Sequence, residues 1–317
     1  MTEQMKIEYL CENMGVQNLS ECLNFPLYIQ IEPNTACNAR CRMCPRSVMS
    51  FERENKVMSP AIREKIVKEL GDHAGHIRRV SVNGYGEPLL DKTLPDFIAK
   101  LKGVGIAEIF FSTNASLLDE EMGQRLLDSG VDQIDLSVDA FSAEIYETIR
   151  IGLSRDKVYK NIEDFIKLRD KISARTKVRF RYILQGINDS EFLVFEKYWS
   201  KKISKNDSIS RKIQHTVGGF MEAMDSAEYK ELMEKNAVLP CKVIFSSISI
   251  TVTGDVSICA YDFEQKSPLG SVADKSISEL WQSETLKKVR DAHISKGRKG
   301  YEPCINCNVW LPELKLS

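Results

Sequence analysis

Leu27-Tyr28-Ile29-Gln30-Ile31, followed by Cys37-Asn38-Ala39-Arg40-Cys41-Arg42-Met43-Cys44, is the stretch that decides the fold. The apolar run reads as a strand, and the three thiols, spaced by four and three residues, fall in the loop after it. Thiols at these intervals can converge on one metal centre. No fourth cysteine stands nearby, and iron–sulfur clusters normally take four ligands, so three protein thiols suit a cluster that keeps one iron open. A zinc knuckle or three buried structural cysteines compete with that reading. Zinc favours closed four-ligand sites built on C-x2-C pairs, and a C-x3-C-x2-C triplet without a nearby His is unusual for it.

Outward from this loop, strand and helix signals alternate. Ser59-Pro60 gives an N-cap followed by Pro at the first helical position, which predicts a helix over 60–70. Strands are expected over 76–82, 108–112, 133–138 and 178–184, with a weaker one over 212–215. Helices are expected over 94–101, 120–129, 143–149, 157–168 and 191–199. Six strand–helix units in series predict a parallel sheet with right-handed crossovers, whose C-terminal strand ends form a functional rim.

The pattern changes near Asp225–Asn236. A β-branched run over 243–252, a Thr253-Gly254-Asp255 turn and Val256–Cys259 predict a hairpin. Ser276 and Glu279 fit a capping box that opens an amphipathic helix to about His293. Cys241 and Cys259 fall at opposite ends of the hairpin, and Cys304 and Cys307 return as a C-x2-C pair. Four thiols close a site completely, and a zinc tetrathiolate is the rival to a cluster there.

Composition sets limits. A formal net charge of -1 offers no global field for nucleic acid or an anionic membrane. No apolar run has signal-peptide or spanning length, so the expected location is cytoplasmic. Seven of the nine cysteines fall into the two metal-like groups, a usage that fits a reducing compartment, while Cys11 and Cys22 read as structural or incidental.

The triplet resembles the signature of the radical S-adenosylmethionine (radical SAM) enzymes, and the distal cysteines resemble their auxiliary-cluster SPASM and twitch domains, the truncated twitch version most. The resemblance implies an α/β fold: a partial (β/α)6 TIM-like barrel with a small C-terminal hairpin-plus-helix cluster domain. Its expected divisions are an N-terminal extension (1–25), a core (26–225) and an auxiliary domain (226–317). It implies two [4Fe-4S] clusters, one on Cys37, Cys41 and Cys44 and one on Cys241, Cys259, Cys304 and Cys307. In this family the open iron chelates the methionine amino and carboxylate groups, and cofactor cleavage yields a 5′-deoxyadenosyl radical.

Asn83-Gly84-Tyr85-Gly86-Glu87-Pro88 resembles the family's GGE motif, so Glu87 is expected to meet the methionine amino group and Gly86 to give close backbone approach. A simple turn is the rival. Asn114 and Ser137, at strand ends, match positions that hold the ribose and carboxylate, although helix capping also suits such residues. Arg150 and Gly152 resemble an Arg-x-Gly, with Arg150 either on the cofactor carboxylate or at a helix end. Arg181 and His215 are candidate substrate contacts, against ordinary packing.

A closed second cluster suggests an electron acceptor, hence oxidation of an alcohol on a sugar- or cyclitol-like small molecule. The short stretch ahead of the core leaves little expected room for a leader-peptide-binding domain. Peptide modification by thioether or carbon–carbon linkage, epimerisation, and a non-enzymatic zinc interaction module remain rivals. A flavodoxin- or ferredoxin-type electron donor is the expected partner.

Overall fold

From Tyr28 to Ile213 the chain alternates strand and helix in register with its hydrophobic pattern. The protein is described by a computed structural model covering residues 1–48, 54–217, 227–262, 265 and 267–309. It forms two units, Ile31–Gln214 and Met1–Gln30 with His215–Ser317. The division expected at 225/226 lies outside the described residues.

Six strands arise in order: β1 (Tyr28–Ile31), β2 (Arg79–Val82), β3 (Ile109–Thr113), β4 (Gln133–Ser137), β5 (Lys177–Leu184) and β6 (Ser208–Ile213). Strands β2 to β6 pair successively and in parallel. Alternation sets the two faces. Val178, Phe180 and Tyr182 of β5 are fully buried on the helix side. There Phe180 stacks 4.4 Å from Trp199 and Tyr182 lies 4.9 Å from Phe195, both on the helix Phe192–Trp199. Burial of each such ring stabilises the fold by roughly 1.5–3 kcal/mol. Residues of the other parity, including Ser112, Asp135, Ser137, Arg179 and Arg181, therefore face away from this helix layer.

Helix starts follow their caps. Ser59 Oγ accepts from Ile62 N ahead of Pro60–Asp72, and Asp119 accepts from Met122 N ahead of Glu120–Asp128. Strand β6 begins earlier than the expected 212–215. Its Ser and Lys content hides it, yet it pairs along β5 from Arg179↔Ser208 to Leu184↔Ile213, and Arg211 lies 5.1 Å over the Phe192 ring.

In the other unit β7 (Ser247–Ile250) and β8 (Asp255–Ser257) form the expected antiparallel hairpin, with Gly254 at φ 87° in its turn. A further strand, β9 (Pro268–Ser271), extends it antiparallel to β8. Val243–Ser246 is a helical turn rather than the start of the strand; it buries Ile244 and Phe245, and Arg290 Nε donates to the Ile244 carbonyl at 2.9 Å. The Ser276–Glu279 capping box is present. The single helix expected after it is two, Ile277–Trp281 and Glu284–Lys296, because Ser283 opens the second as a new N-cap.

The N-terminal helix Glu3–Met14 belongs to this unit, and Lys6 Nζ donates at 2.7 Å to the carbonyls of Ile294 and Ser295, where a helix end favours a cation. Buried Trp281 donates Nε1 to the Cys22 carbonyl at 2.8 Å. Burial raises the Cys11 thiol and pushes Cys22 up to about 11, and both thiols are buried, consistent with structural roles. No helix among the described residues is long and apolar enough to cross a membrane.

Candidate functional site

The cysteine loop leaves β1 and is held by backbone. Arg40 N donates to the Ile151 carbonyl at 2.9 Å and Arg42 N to the Ile149 carbonyl at 3.0 Å. Gly152, at φ 94°, lies close beneath; a Cβ there would stand 3.3 Å from the Asn38 carbonyl oxygen. The Arg-x-Gly segment thus carries the cysteine loop on its backbone.

The thiols of Cys37 and Cys44 are raised by burial, and the nearby Cys41 adds to both rises. Burial is the larger cause, and it brings Cys44 up to about 11. Metal binding at Cys37 and Cys44 therefore displaces protons. Arg150 Nη1 donates to Cys41 Sγ at 3.5 Å, while its Nε donates to the fully buried Asp139 at 2.6 Å. Arg150 is also the C-cap residue of Ala143–Ile149, so its guanidinium joins the helix end, the β4 terminus and the cysteine loop. Asp139 caps no helix; Ser142 does that, and Asp139 instead accepts from Ile183 N at 2.8 Å.

Glu87, expected to face the methionine amino group, has a buried carboxylate that accepts from three donors. It accepts from Thr113 Oγ1 at 2.6 Å, Asn114 N at 2.8 Å and Leu89 N at 3.1 Å. Its own N–H donates to the Ala36 carbonyl at 2.7 Å. Glu87 thereby ties the β2 and β3 loops to the segment carrying Cys37. Gly86 gives close approach to that same segment, since a Cβ would fall 2.4 Å from the Asn34 carbonyl oxygen and 2.8 Å from that of Ala36. Asn114 continues the web, donating Nδ2 to Asn38 Oδ1 at 3.0 Å.

Among the described residues, the buried polar atoms without hydrogen-bond partners include Asn34 Oδ1, Asn83 Oδ1 and Gln185 Nε2 at this rim. A buried polar group without a partner costs roughly 1–3 kcal/mol, so such atoms mark places where a polar ligand fits. Two are acceptors beside the Gly84–Gly86 turn, suited to an ammonium group, and one is a donor at the end of β5. Ser137 ends β4, and its hydroxyl has no partner among the described residues. Sequence patterning did not single out Asn34, Asn83 or Gln185, because an orphan is visible only once the surrounding bonds are known. Asn188, by contrast, is internal: it donates to the Asp139 and Ile183 carbonyls.

Arg181 donates to Asp135 at 3.0 Å, and Arg179 grips the same carboxylate through Nε and Nη2 at 2.9 and 2.5 Å. His215 lies in the other unit, 5.9 Å from the Tyr261 ring. Gly218 and Gly219, which follow it, are outside the described residues.

In that unit Cys241, Cys259, Cys304 and Cys307 are brought together. Burial raises the thiols of Cys241, Cys259 and Cys304, and the neighbouring thiols add to the rise; Cys241 reaches about 11. Cys241 N donates to His293 Nδ1 at 3.2 Å, and Tyr261 N donates to Cys259 Sγ at 3.4 Å. Burial, then Arg298, pushes the His293 imidazole down to about 4, so it is neutral. Arg298, itself buried, places a cation near Cys241, Cys304 and Cys307.

Among the described residues no three His, Cys, Asp or Glu side chains gather closely enough for a single metal ion. A cluster takes each thiolate on a separate iron, and an all-thiol donor set suits iron–sulfur chemistry. Both cysteine groups therefore fit clusters, and the orphaned atoms near the first fit a polar cofactor.

Comparison with known proteins agrees with this chemistry. Residues 241–308 match an iron-sulfur cluster-binding domain, SPASM. An S-adenosyl-L-methionine-dependent 2-deoxy-scyllo-inosamine dehydrogenase of Niallia circulans is 26% identical, over 88% of this chain and 92% of its own. A probable GTP 3′,8-cyclase of Methanococcus maripaludis is 35% identical over 42% of this chain; the match spans only 43% of the cyclase. Among solved structures, BtrN in complex with AdoMet and 2-DOIA superposes with a TM-score of 0.61 at 22% identity, covering 90% of this chain and 93% of that one. Streptococcus suis SuiB bound to precursor peptide SuiA gives 0.62 at 18%, covering 83% and 66%. Likeness at these identities concerns the fold. The parallel strand–helix series with its three-thiol loop, residues 31–198, matches the radical SAM superfamily over more than half the chain, and the protein belongs to that superfamily.

Proposed function

We propose that the protein is a dehydrogenase that oxidises an alcohol on a sugar- or cyclitol-like small molecule to a ketone. The observation that carries this is the fully closed four-thiol set in the unit of β7 to β9, which leaves no protein-free ligand position for substrate and so suits electron acceptance. The similarity to the Niallia dehydrogenase, over 88% of this chain and 92% of its own, supports it, whereas the matches to GTP 3′,8-cyclases cover 42% to 62% of this chain.

In this reading Cys37, Cys41 and Cys44 hold the first cluster, and Cys241, Cys259, Cys304 and Cys307 hold the second. When bound, S-adenosylmethionine and the two clusters supply hydrogen-atom abstraction and an acceptor for the remaining electron. Asn34 Oδ1 and Asn83 Oδ1 accept from the cofactor's ammonium group, Gly86 lets that turn close on the cysteine loop, and Glu87 locks it. Asn114 and Arg150 hold the loop from its other side, and Ser137 and Gln185 offer hydrogen bonds at the ends of β4 and β5. The enzyme works in the cytoplasm with a flavodoxin- or ferredoxin-type donor.

Anaerobic turnover with a candidate polyol and excess reductant tests the proposal. Equimolar 5′-deoxyadenosine and ketone are expected; cofactor consumption without a two-electron-oxidised product overturns it. A mass change on a peptide substrate would instead favour peptide modification.

A further inference from the structure

Strands β4, β5 and β6 carry a cationic wall on the face opposite their helices. Asp135 is fully buried, and both its oxygens are saturated: Oδ1 by Gln133 Nε2 at 2.7 Å and Arg179 Nε, Oδ2 by Arg179 Nη2 and Arg181 Nη1. One carboxylate thus serves two guanidinium groups, whose side chains are 26% and 29% exposed. Most of the N–H donors of both arginines remain unused among the described residues. The parallel register puts Ser210 beside Arg181, with its hydroxyl donating to the Phe180 carbonyl at 3.3 Å. Two guanidiniums facing one carboxylate leave an excess positive charge, and their planar forks match carboxylate and phosphate geometry. Asp135 holds the Arg179 fork by its Nε–Nη2 edge and tethers Arg181 through Nη1.

We infer that this wall binds an anionic group, a carboxylate or a phosphate, carried by the substrate. The inference rests on the dehydrogenase reading above and narrows its substrate class to acidic or phosphorylated polyols. An amine-bearing cyclitol, such as the inosamine in the name of the Niallia relative, would meet like charge here.

The test uses reconstituted holoenzyme with S-adenosylmethionine and calorimetric binding of four probes: inositol monophosphate, glucuronate, inositol and glucosamine. At least one anionic probe is expected to bind tenfold or more tighter than the neutral and amine probes. Arg181→Gln should remove roughly tenfold to hundredfold of that affinity, the range for a lost charged hydrogen bond, while leaving inositol unchanged. Ser210→Asp, which adds a carboxylate without removing the Asp135 contacts, should do the same if Arg181→Gln fails to fold. Which anion binds tells phosphate from carboxylate. Equal binding of inositol or glucosamine, no binding of either anion, or an anion preference unchanged in both variants overturns the inference. Anion binding that persists while no ketone forms would overturn the dehydrogenase reading alone.

Discussion

Arg150→Met removes the cation that links Asp139 to the Cys41 thiol. The pair is deeply buried, with side-chain exposures of 10% for Arg150 and none for Asp139. The variant leaves Asp139 with the Ile183 N–H as its remaining partner, and breaking a buried pair from one side costs about 3–5 kcal/mol. At roughly 2–4 °C per kcal/mol for a domain of this size, the melting temperature should fall by about 6–20 °C. The sign of the pH dependence follows from Asp139. Burial pushes its carboxyl up, and Arg150 is the chief influence holding it down. Without Arg150 the folded-state pKa rises further above the unfolded one, so the penalty is full above the new folded pKa and is relieved as pH falls through it. Anaerobic thermal melts of wild type and variant at pH 8 and pH 5.5 should therefore show a gap that narrows in acid. The double variant Arg150→Met/Asp139→Leu should recover much of the loss, since two apolar groups replace the pair. A gap under 1 kcal/mol at pH 8, or one that widens in acid, would refute the reasoning.

Cys41→Ala should abolish cofactor cleavage and roughly halve the iron, from about eight to about four per chain, measured by iron assay. Cys259→Ala should retain uncoupled 5′-deoxyadenosine formation and yield no ketone, a split read by parallel quantification of both products. Gly86→Ala forces a Cβ to within 2.4 Å of the Asn34 carbonyl oxygen, so about 1–3 kcal/mol of overpacking should appear in denaturant titration, together with weakened cofactor binding. Gln185→Leu removes a buried donor that has no partner among the described residues; apo stability should be unchanged or rise, and equilibrium dialysis should show weaker S-adenosylmethionine binding.

Much of this architecture was legible in the chain. The strand–helix alternation, the Ser59-Pro60 start and the Ser276–Glu279 capping box depend on local periodicity and local hydrogen bonds, so residues close in sequence announce them. Strand β6 was less legible because a polar strand on the edge of a sheet hides its apolar side, Ile209 and Ile213, among Ser, Arg and Lys. The internal occupation of Glu87 and Arg150 was invisible for another reason. Their partners, Thr113 and Asn114 for one, Asp139 and Cys41 for the other, are brought in by long-range folding that no local spacing encodes. The Asp135–Arg179–Arg181 cluster stands between: alternation put both arginines on one face, but only the register Asp135↔Arg179 shows which carboxylate they share.

Strand β6 ends the run of parallel strands in its unit, and a terminal strand presents unpaired backbone that can recruit a foreign chain. Its charged sequence, Ser208-Ile-Ser-Arg-Lys-Ile213, following Lys201, Lys202 and Lys205, discourages that pairing. The polarity that conceals β6 in the sequence thus has a second use as protection against aggregation, keeping the end of the parallel run soluble while the strand stays part of the fold.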